Sequence, residues 1–204
     1  MEAHAKAAGH AGEHPPTSTG LDTWKLGFWT FLGSETLFFG SFIATYMIYA
    51  GRNVTGPLPH EILDVPLTTV STFVLLMSSL AMVLALHAVQ RGSRKGTLIW
   101  LMVTPLMGLV FLGFQAYEFT HFYHEGLTLS TNLFGSSFFI LTGFHGAHVT
   151  IGVIWLLILW LQALAGRIGS GDALKVEIAG LYWHFVDIVW IVIFTLIYLL
   201  QAPG

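Results

Sequence analysis

The residues of this 204-residue chain whose types and spacing suit chemistry are histidines and carboxylates inside long apolar runs. His184 and Asp187 are three positions apart in the last run, and His145 and His148 have the same spacing in the run before it. On a helix, residues three apart share one face. Neutral imidazole is a common haem and metal ligand, and it also forms hydrogen bonds between helices. These four residues are therefore candidates both for haem or metal ligation and for interhelical hydrogen bonding.

A two-histidine haem site needs ligands at matching depth on facing helices, and His148 and His184 are the pair that would supply it. A metal site needs a third ligand, for which Asp187 is the candidate. The alternative is structural: the histidines bond to Asp187 or to a backbone carbonyl, and Asp187 fixes the tautomer of one ring. We favour this alternative. We expect His145, His148, His184 and Asp187 to form an interhelical polar seam, with no metal site and no catalytic residue.

Two carboxylates stand apart from the histidines. Glu35 lies near the middle of the first apolar run, where an exposed charge is expensive. It fits three roles: a protonated acid bonded to a neighbouring helix, a proton relay, or an acid facing a lipid-filled cleft. Glu118 falls near the far end of the third run, beside the histidines of the following connection.

Lipid is the solvent for most of this chain. Only 9% of its residues are charged and 54% are hydrophobic, whereas a soluble domain carries about a quarter charged residues. Five apolar runs reach the length of about 20 residues that spans a bilayer. They cover approximately residues 24–49, 66–89, 97–119, 132–162 and 177–200. We predict an all-α polytopic membrane bundle of five transmembrane helices within residues 24–204.

Residues 1–23 form a polar tail, predicted to be mobile, that carries His4, His10 and His14. Their irregular spacing makes a metal site the weaker alternative, and their role stays open. The chain has no cysteine, which excludes disulfides and cysteine-ligated iron–sulfur clusters. A net charge of −3 provides no basic surplus for nucleic acid.

Basic residues collect on one side of the predicted membrane domain. Seven of the eight lie in the tail, at the start of the first run, or in the connections 90–96 and 163–176. The positive-inside rule then places the N-terminus in the cytoplasm and the C-terminus outside. Five spans require the termini to lie on opposite faces, which agrees with this orientation. The absence of an internal repeat weighs against an inverted-repeat transporter.

Four motifs, spread over four of the five runs, together resemble subunit III of the haem–copper terminal oxidases. The resemblance covers about residues 24–200 and is to the short, five-span bacterial form. The motifs are GSETLFF at 33–39, QAYE at 115–118, TGFHGAHV at 142–149 and YWHFVDIVW at 182–190.

The resemblance implies a subunit of the bacterial cytoplasmic membrane that docks on catalytic subunit I, with subunit II and other oxidase subunits as further partners. Haems and copper are then expected in those partners and no redox centre in this chain. It also implies a cleft that holds phospholipids, stabilisation of the catalytic subunit and support of proton uptake. Glu35 falls on the family's carbodiimide-reactive carboxylate. Arg91, Arg94 and Arg167 are candidates for holding lipid phosphates, without matching a motif.

Different parts of the sequence resemble oxidases with different electron donors. Phe144, Val186 and the QAYE string resemble cytochrome c oxidases, which we favour. The histidine-bearing tail and the 125–131 loop resemble quinol oxidases. A membrane cytochrome with haem-ligating histidines is the more remote alternative.

Overall fold

The computed structural model describes residues 23–50 and 63–200. Within these residues there are five long helices and no strand, and all five are long and apolar enough to cross a membrane. The predicted all-α polytopic bundle is confirmed. The helices are α1 Thr23–Tyr49, α2 Val65–Gln90, α3 Arg94–His124, α4 Leu133–Leu164 and α5 Ala173–Phe194. The predicted tail up to residue 22, with its three histidines, lies outside the described residues.

Polar caps fix where three of the helices begin. Three helices begin next to an N-cap side chain that accepts a hydrogen bond from the third residue after it, a donor that would otherwise lack a partner. The caps are Asp64 (3.0 Å), Ser93 (3.4 Å) and Asn132 (2.7 Å). Since α3 starts right after Ser93, it includes polar residues that an apolar run excludes. Its last turn also includes His121 and His124, so the prediction that these histidines lie in the following loop is wrong.

Successive helices run in opposite directions, so their connections alternate between the two ends of the bundle. These two ends carry different charged residues. We call the end that carries Lys25, Arg94 and Lys175 the basic end. We call the end that carries Asp64 and Glu118 the acidic end. A 3-10 turn, Ser170–Asp172, precedes α5 at the basic end. A π-helical segment, Thr195–Leu199, continues α5 towards the acidic end.

α1 lies at the edge of the bundle and packs on α4 and α5. Its buried side chains are Leu32, Phe39 and Tyr46. At the basic end, Lys25 forms an ion pair of 2.7 Å with Glu177 of α5. The other helices contact one another extensively, with α2 against α3 and α5, and α4 against α3 and α5. The hydrophobic core is therefore centred on α2 to α5.

Trp183 of α5 joins all four helices of that core. Its ring is 2% exposed, and its Nε1 donates a 2.8 Å hydrogen bond to the hydroxyl of Ser78 on α2. A Cβ added at Gly108 of α3 would lie 2.6 Å from the ring, and one at Gly152 of α4 would lie 2.9 Å from it. Both glycines therefore let a neighbouring helix approach the indole closely.

Gly108→Ala tests this packing. The added methyl overlaps a rigid ring held between helices, so we expect a loss of about 1–3 kcal/mol. Gly113→Ala on the same helix is the control, because a Cβ there meets no heavy atom of the described residues within 4 Å. Alanine at that position should be neutral or stabilising by up to about 1 kcal/mol. Thermal unfolding in detergent measures both, and equal effects of the two substitutions would contradict the packing argument.

Candidate functional site

Glu35 of α1 is bonded to His148 of α4. Its Oε2 lies 3.2 Å from Nε2 of the histidine, and the two side chains are 19% and 15% exposed. Nδ1 of His148 lies 2.8 Å from the carbonyl oxygen of Phe144. Both ring nitrogens thus face oxygen, so the pair is either imidazolium with carboxylate or neutral histidine with a protonated acid. The pair is neutral in either state, which is how two ionisable groups are accommodated among apolar helices.

The surroundings of this pair are mostly aromatic. The ring of Phe39 packs edge-on against His148 with centroids 4.9 Å apart. Tyr182 of α5 donates its hydroxyl to the backbone carbonyl of His148 at 3.1 Å. Of the three roles considered for Glu35, this geometry matches an acid bonded to a neighbouring helix. Its functional role stays a prediction.

His145 points into the core, away from the Glu35 pair. It is fully buried, and its Nε2 lies 3.2 Å from the carbonyl oxygen of Val186 on α5. The ring packs on Trp190 with centroids 4.8 Å apart. The backbone-carbonyl partner is one of the two that the structural alternative allowed. Among the described residues, the buried Nδ1 of His145 and Oδ1 of Asp187 have no hydrogen-bond partner.

His184 and Asp187 reach the same residue, Ser79 of α2. The Ser79 hydroxyl donates to Oδ2 of Asp187, and Nδ1 of His184 lies 3.1 Å from that hydroxyl. The prediction that the two share one helix face is confirmed. No described hydrogen bond joins Asp187 directly to a histidine, because the serine lies between them.

The predicted seam is therefore three separate contacts, which join α4 to α1, α4 to α5, and α5 to α2. What sequence reasoning missed is a row of hydroxyl residues on the buried side of α2. Four of its members provide hydrogen-bond partners for tryptophan, histidine or carboxyl groups of other helices, whereas Ser71 donates to the carbonyl oxygen of Thr68 on its own helix. The row consists of Thr68, Ser71, Thr72, Ser78 and Ser79. The signal was present in the sequence, since these positions recur at helical spacing within an apolar span.

Glu118 of α3 is the most enclosed carboxylate of the described bundle apart from Asp187. It is 6% exposed and accepts hydrogen bonds from the hydroxyls of Thr68 at 2.9 Å and Tyr198 at 2.8 Å. The sequence placed Glu118 at the end of its helix but gave no indication of Tyr198 as a partner.

The three predicted phosphate-binding arginines lie exposed at the basic end. Arg94 already has a protein partner, because its guanidinium donates to the carbonyl oxygen of Leu164 at the end of α4, at 3.2 Å. It also lines a cavity of about 170 Å³. Arg91 caps the end of α2 through its backbone N–H, and Arg167 follows α4. The structure leaves the phosphate role of all three as a prediction.

A larger space opens at the same end, between the start of α1, the end of α4 and the start of α5. Its volume is about 650 Å³. Most of the lining is apolar, with one basic and one amide side chain. The lining residues are Trp24, Trp155, Leu159, Gln162, Leu174, Lys175 and Ile178.

The described residues do not assemble a metal-ligand set. Within residues 23–50 and 63–200, no three histidine or carboxylate side chains converge as ligands. His148 and His184, the pair considered for haem, bond to different helices, one to Glu35 of α1 and the other to Ser79 of α2. Asp187, the third candidate ligand, is bonded to that same serine.

Five apolar helices that enclose carboxyl and imidazole side chains define an integral membrane protein with a polar interior. The whole-chain comparison gives the family: residues 5–202 match the model of cytochrome c oxidase subunit III. The chain belongs to this family. It is a subunit III of a haem–copper terminal oxidase, an oxidoreductase complex made of several subunits.

Similar proteins include both kinds of terminal oxidase subunit. Quinol oxidase subunit 3 of Bacillus subtilis is 42% identical over 200 residues, or 97% of this chain and 98% of that protein. Cytochrome c oxidase subunit 3 of Alkalihalophilus pseudofirmus is 42% identical over 182 residues, or 88% and 87%. Cytochrome c oxidase subunit 3 of Bacillus sp. (strain PS3) is 40% identical over 179 residues, or 88% and 86%.

Asp187→Ala tests the contact at Ser79. Removing the carboxylate leaves the part-buried Ser79 hydroxyl without its acceptor, and we expect a loss of about 1–3 kcal/mol together with less assembled complex. Ser41→Ala is the control, since its exposed hydroxyl bonds only within α1, to Phe38. Thermal unfolding and the yield of membrane-extracted complex measure the effect. An unchanged stability in Asp187→Ala would show that the contact is dispensable.

Proposed function

We propose that this chain is the non-redox subunit III of a proton-pumping terminal oxidase of the aerobic respiratory chain. In this role it stabilises the catalytic subunit, retains phospholipids and supports proton uptake. The observation that carries the proposal is the match to the subunit III family over residues 5–202. Oxygen reduction to water then takes place in the partner subunits.

The contacts of the histidines support the absence of a redox centre in this chain. The intramembrane rings of His145, His148 and His184 each bond to a group on another helix. Both ring nitrogens of His148 are bonded, so ligation of iron or copper by this residue would require breaking a bond and leaving its partner unsatisfied, at a cost of about 1–3 kcal/mol. We therefore assign the haems and copper to subunits I and II.

The proposed location is the bacterial cytoplasmic membrane, with the basic end facing the cytoplasm and the C-terminus outside. The charges of the described residues support this orientation, because positively charged connections stay in the cytoplasm. The 650 Å³ space at the basic end, with its apolar walls and Lys175, suits an acyl chain whose anionic headgroup stays at the surface. Arg91, Arg94 and Arg167 are proposed to contribute to headgroup binding at that end.

Both electron donors stay candidates. The chain is 42% identical to a quinol oxidase subunit and to a cytochrome c oxidase subunit. The motif residues favour cytochrome c. The extent of alignment favours quinol, since it reaches 97% of this chain with one quinol oxidase subunit and 88% with one cytochrome c oxidase subunit.

Co-purification tests the proposed assembly. The chain is tagged, extracted from its native membrane and isolated, and a reduced-minus-oxidised spectrum is recorded for the complex and for the dissociated chain. We expect haem-bearing membrane proteins to accompany the chain, and haem bands in the complex alone. Haem bands in the separated chain would overturn the non-redox assignment and favour a membrane cytochrome. The same complex, supplied with reduced cytochrome c or with a quinol, identifies the donor by its oxygen consumption.

Glu35→Gln should leave assembly and turnover largely intact. A glutamine keeps a hydrogen-bonding group facing His148, and we propose that Glu35 acts as an acid bonded to a neighbouring helix and not as part of an obligatory proton wire. Glu35→Leu is the contrasting variant, because it leaves Nε2 of His148 without its partner and should lower the amount of assembled complex. Turnover per haem and complex yield are measured for both. Complete loss of turnover in an assembled Glu35→Gln complex would instead identify Glu35 as a proton relay.

A further inference from the structure

The carboxyl group of Glu118 lies where three separate elements meet at the acidic end. Thr68 of α2 donates to its Oε1 at 2.9 Å, and Tyr198 donates to its Oε2 at 2.8 Å. Tyr198 is fully buried, and Thr68 is 3% exposed. The Thr68 hydroxyl also lies 2.8 Å from the carbonyl oxygen of Asp64, so it can donate to Glu118 as a carboxylate and accept from Glu118 as a protonated acid. The site is thus built to accommodate both forms.

Tyr198 belongs to the π-helical segment that continues α5. Short π segments are uncommon and occur frequently at functional sites, since the wider turn changes the direction of the side chains that follow. Here the segment carries a buried phenol to a carboxyl group on another helix. The contact is therefore part of a local departure from the regular helix.

A small polar cavity adjoins the carboxyl group. Its volume is about 10 Å³, which is at the lower limit for holding one water molecule. Four of its lining side chains are polar and buried, namely Thr68, Ser71, Gln115 and Glu118. A buried water needs two to four polar partners, and this cavity offers that number.

The cavity lies directly behind an open groove. The groove has a volume of about 500 Å³ and runs between the start of α2 and the last part of α3. Leu67 and Phe114 line both spaces, so the cavity and the groove adjoin at these side chains. Asp64, the exposed N-cap of α2, lines the groove.

We propose that Glu118, Thr68 and Tyr198 form a proton-binding site that holds one water molecule and exchanges protons with the acidic-end surface through this groove. On release, the carboxyl proton passes to the water and from it to solvent in the groove, and the carboxylate stays bonded to both hydroxyls. Uptake is the reverse. The other ionisable groups facing the site are Asp64 of α2, which faces Glu118, and Tyr46 of α1, which faces Tyr198.

Infrared spectroscopy of the full chain in its native complex tests the proposal. The carbonyl stretch of a protonated carboxyl is followed as pH is changed, and then on transfer from H₂O to D₂O. We expect a band that Glu118→Gln removes, that titrates with pH, and that shifts promptly in D₂O. Ser71→Thr adds a methyl group at the cavity and keeps the hydroxyl, so it should slow the D₂O shift several-fold. Thr69→Val, an exposed neighbour outside the cavity, should leave the rate unchanged.

Tyr198→Phe covers the case in which Glu118→Gln does not fold. It keeps the carboxyl but removes one donor, so the same band should move to a higher frequency. A band assigned to Glu118 that titrates but does not shift in D₂O would show a sealed acid and overturn the exchange. The lack of a titrating band sensitive to either substitution would overturn the site itself, as would equal exchange rates in Ser71→Thr and the wild-type chain.

Discussion

The structure depends on the row of hydroxyls along the buried side of α2. A polar group inside a bilayer has no water to bond with, so each must find a partner in the protein. Thr72 accepts from Nε1 of Trp190 at 2.9 Å, and Ser78 does the same for Trp183 at 2.8 Å. Further along the same side, Thr68 meets Glu118 and Ser79 meets Asp187. One helix thereby satisfies polar groups of α3 and α5 and fixes how they pack against it.

Ionisable groups of the bundle interior occur in arrangements that need not carry a net charge. Glu35 of α1 bonds to His148 of α4, so an acidic and a basic group lie together between two helices. His145 bonds to a carbonyl oxygen through a ring that is completely buried. Such contacts hold helices at fixed distances without requiring a bound ion. This is what a subunit needs if its main contribution to an oxidase is a rigid surface for its partners, as proposed.

Hydropathy and spacing were enough to predict the five helices and the shared face of His184 and Asp187. Helix ends were less predictable, because caps such as Ser93 extend a helix into polar sequence. Long-range partners were not predictable: nothing local in the sequence pairs Glu35 with His148 or Glu118 with Tyr198, separations of 113 and 80 residues. The position of Tyr198 was the hardest to predict. The direction of its side chain depends on a π-helical segment, which the spacing of apolar residues does not reveal.

The position of α1 at the edge has a consequence for biosynthesis. α1 leaves the ribosome first, yet the helices it packs on, α4 and α5, are made last. It therefore lacks these contacts until both helices have been made, and its mean hydropathy of 1.3 is the lowest of the five spans. During that interval Glu35 has no histidine beside it, and a lone carboxyl in hydrocarbon is carried as the neutral acid. Glu35 can bond to His148 only after α4 has been made, so docking of the first helix is coupled to completion of the fourth.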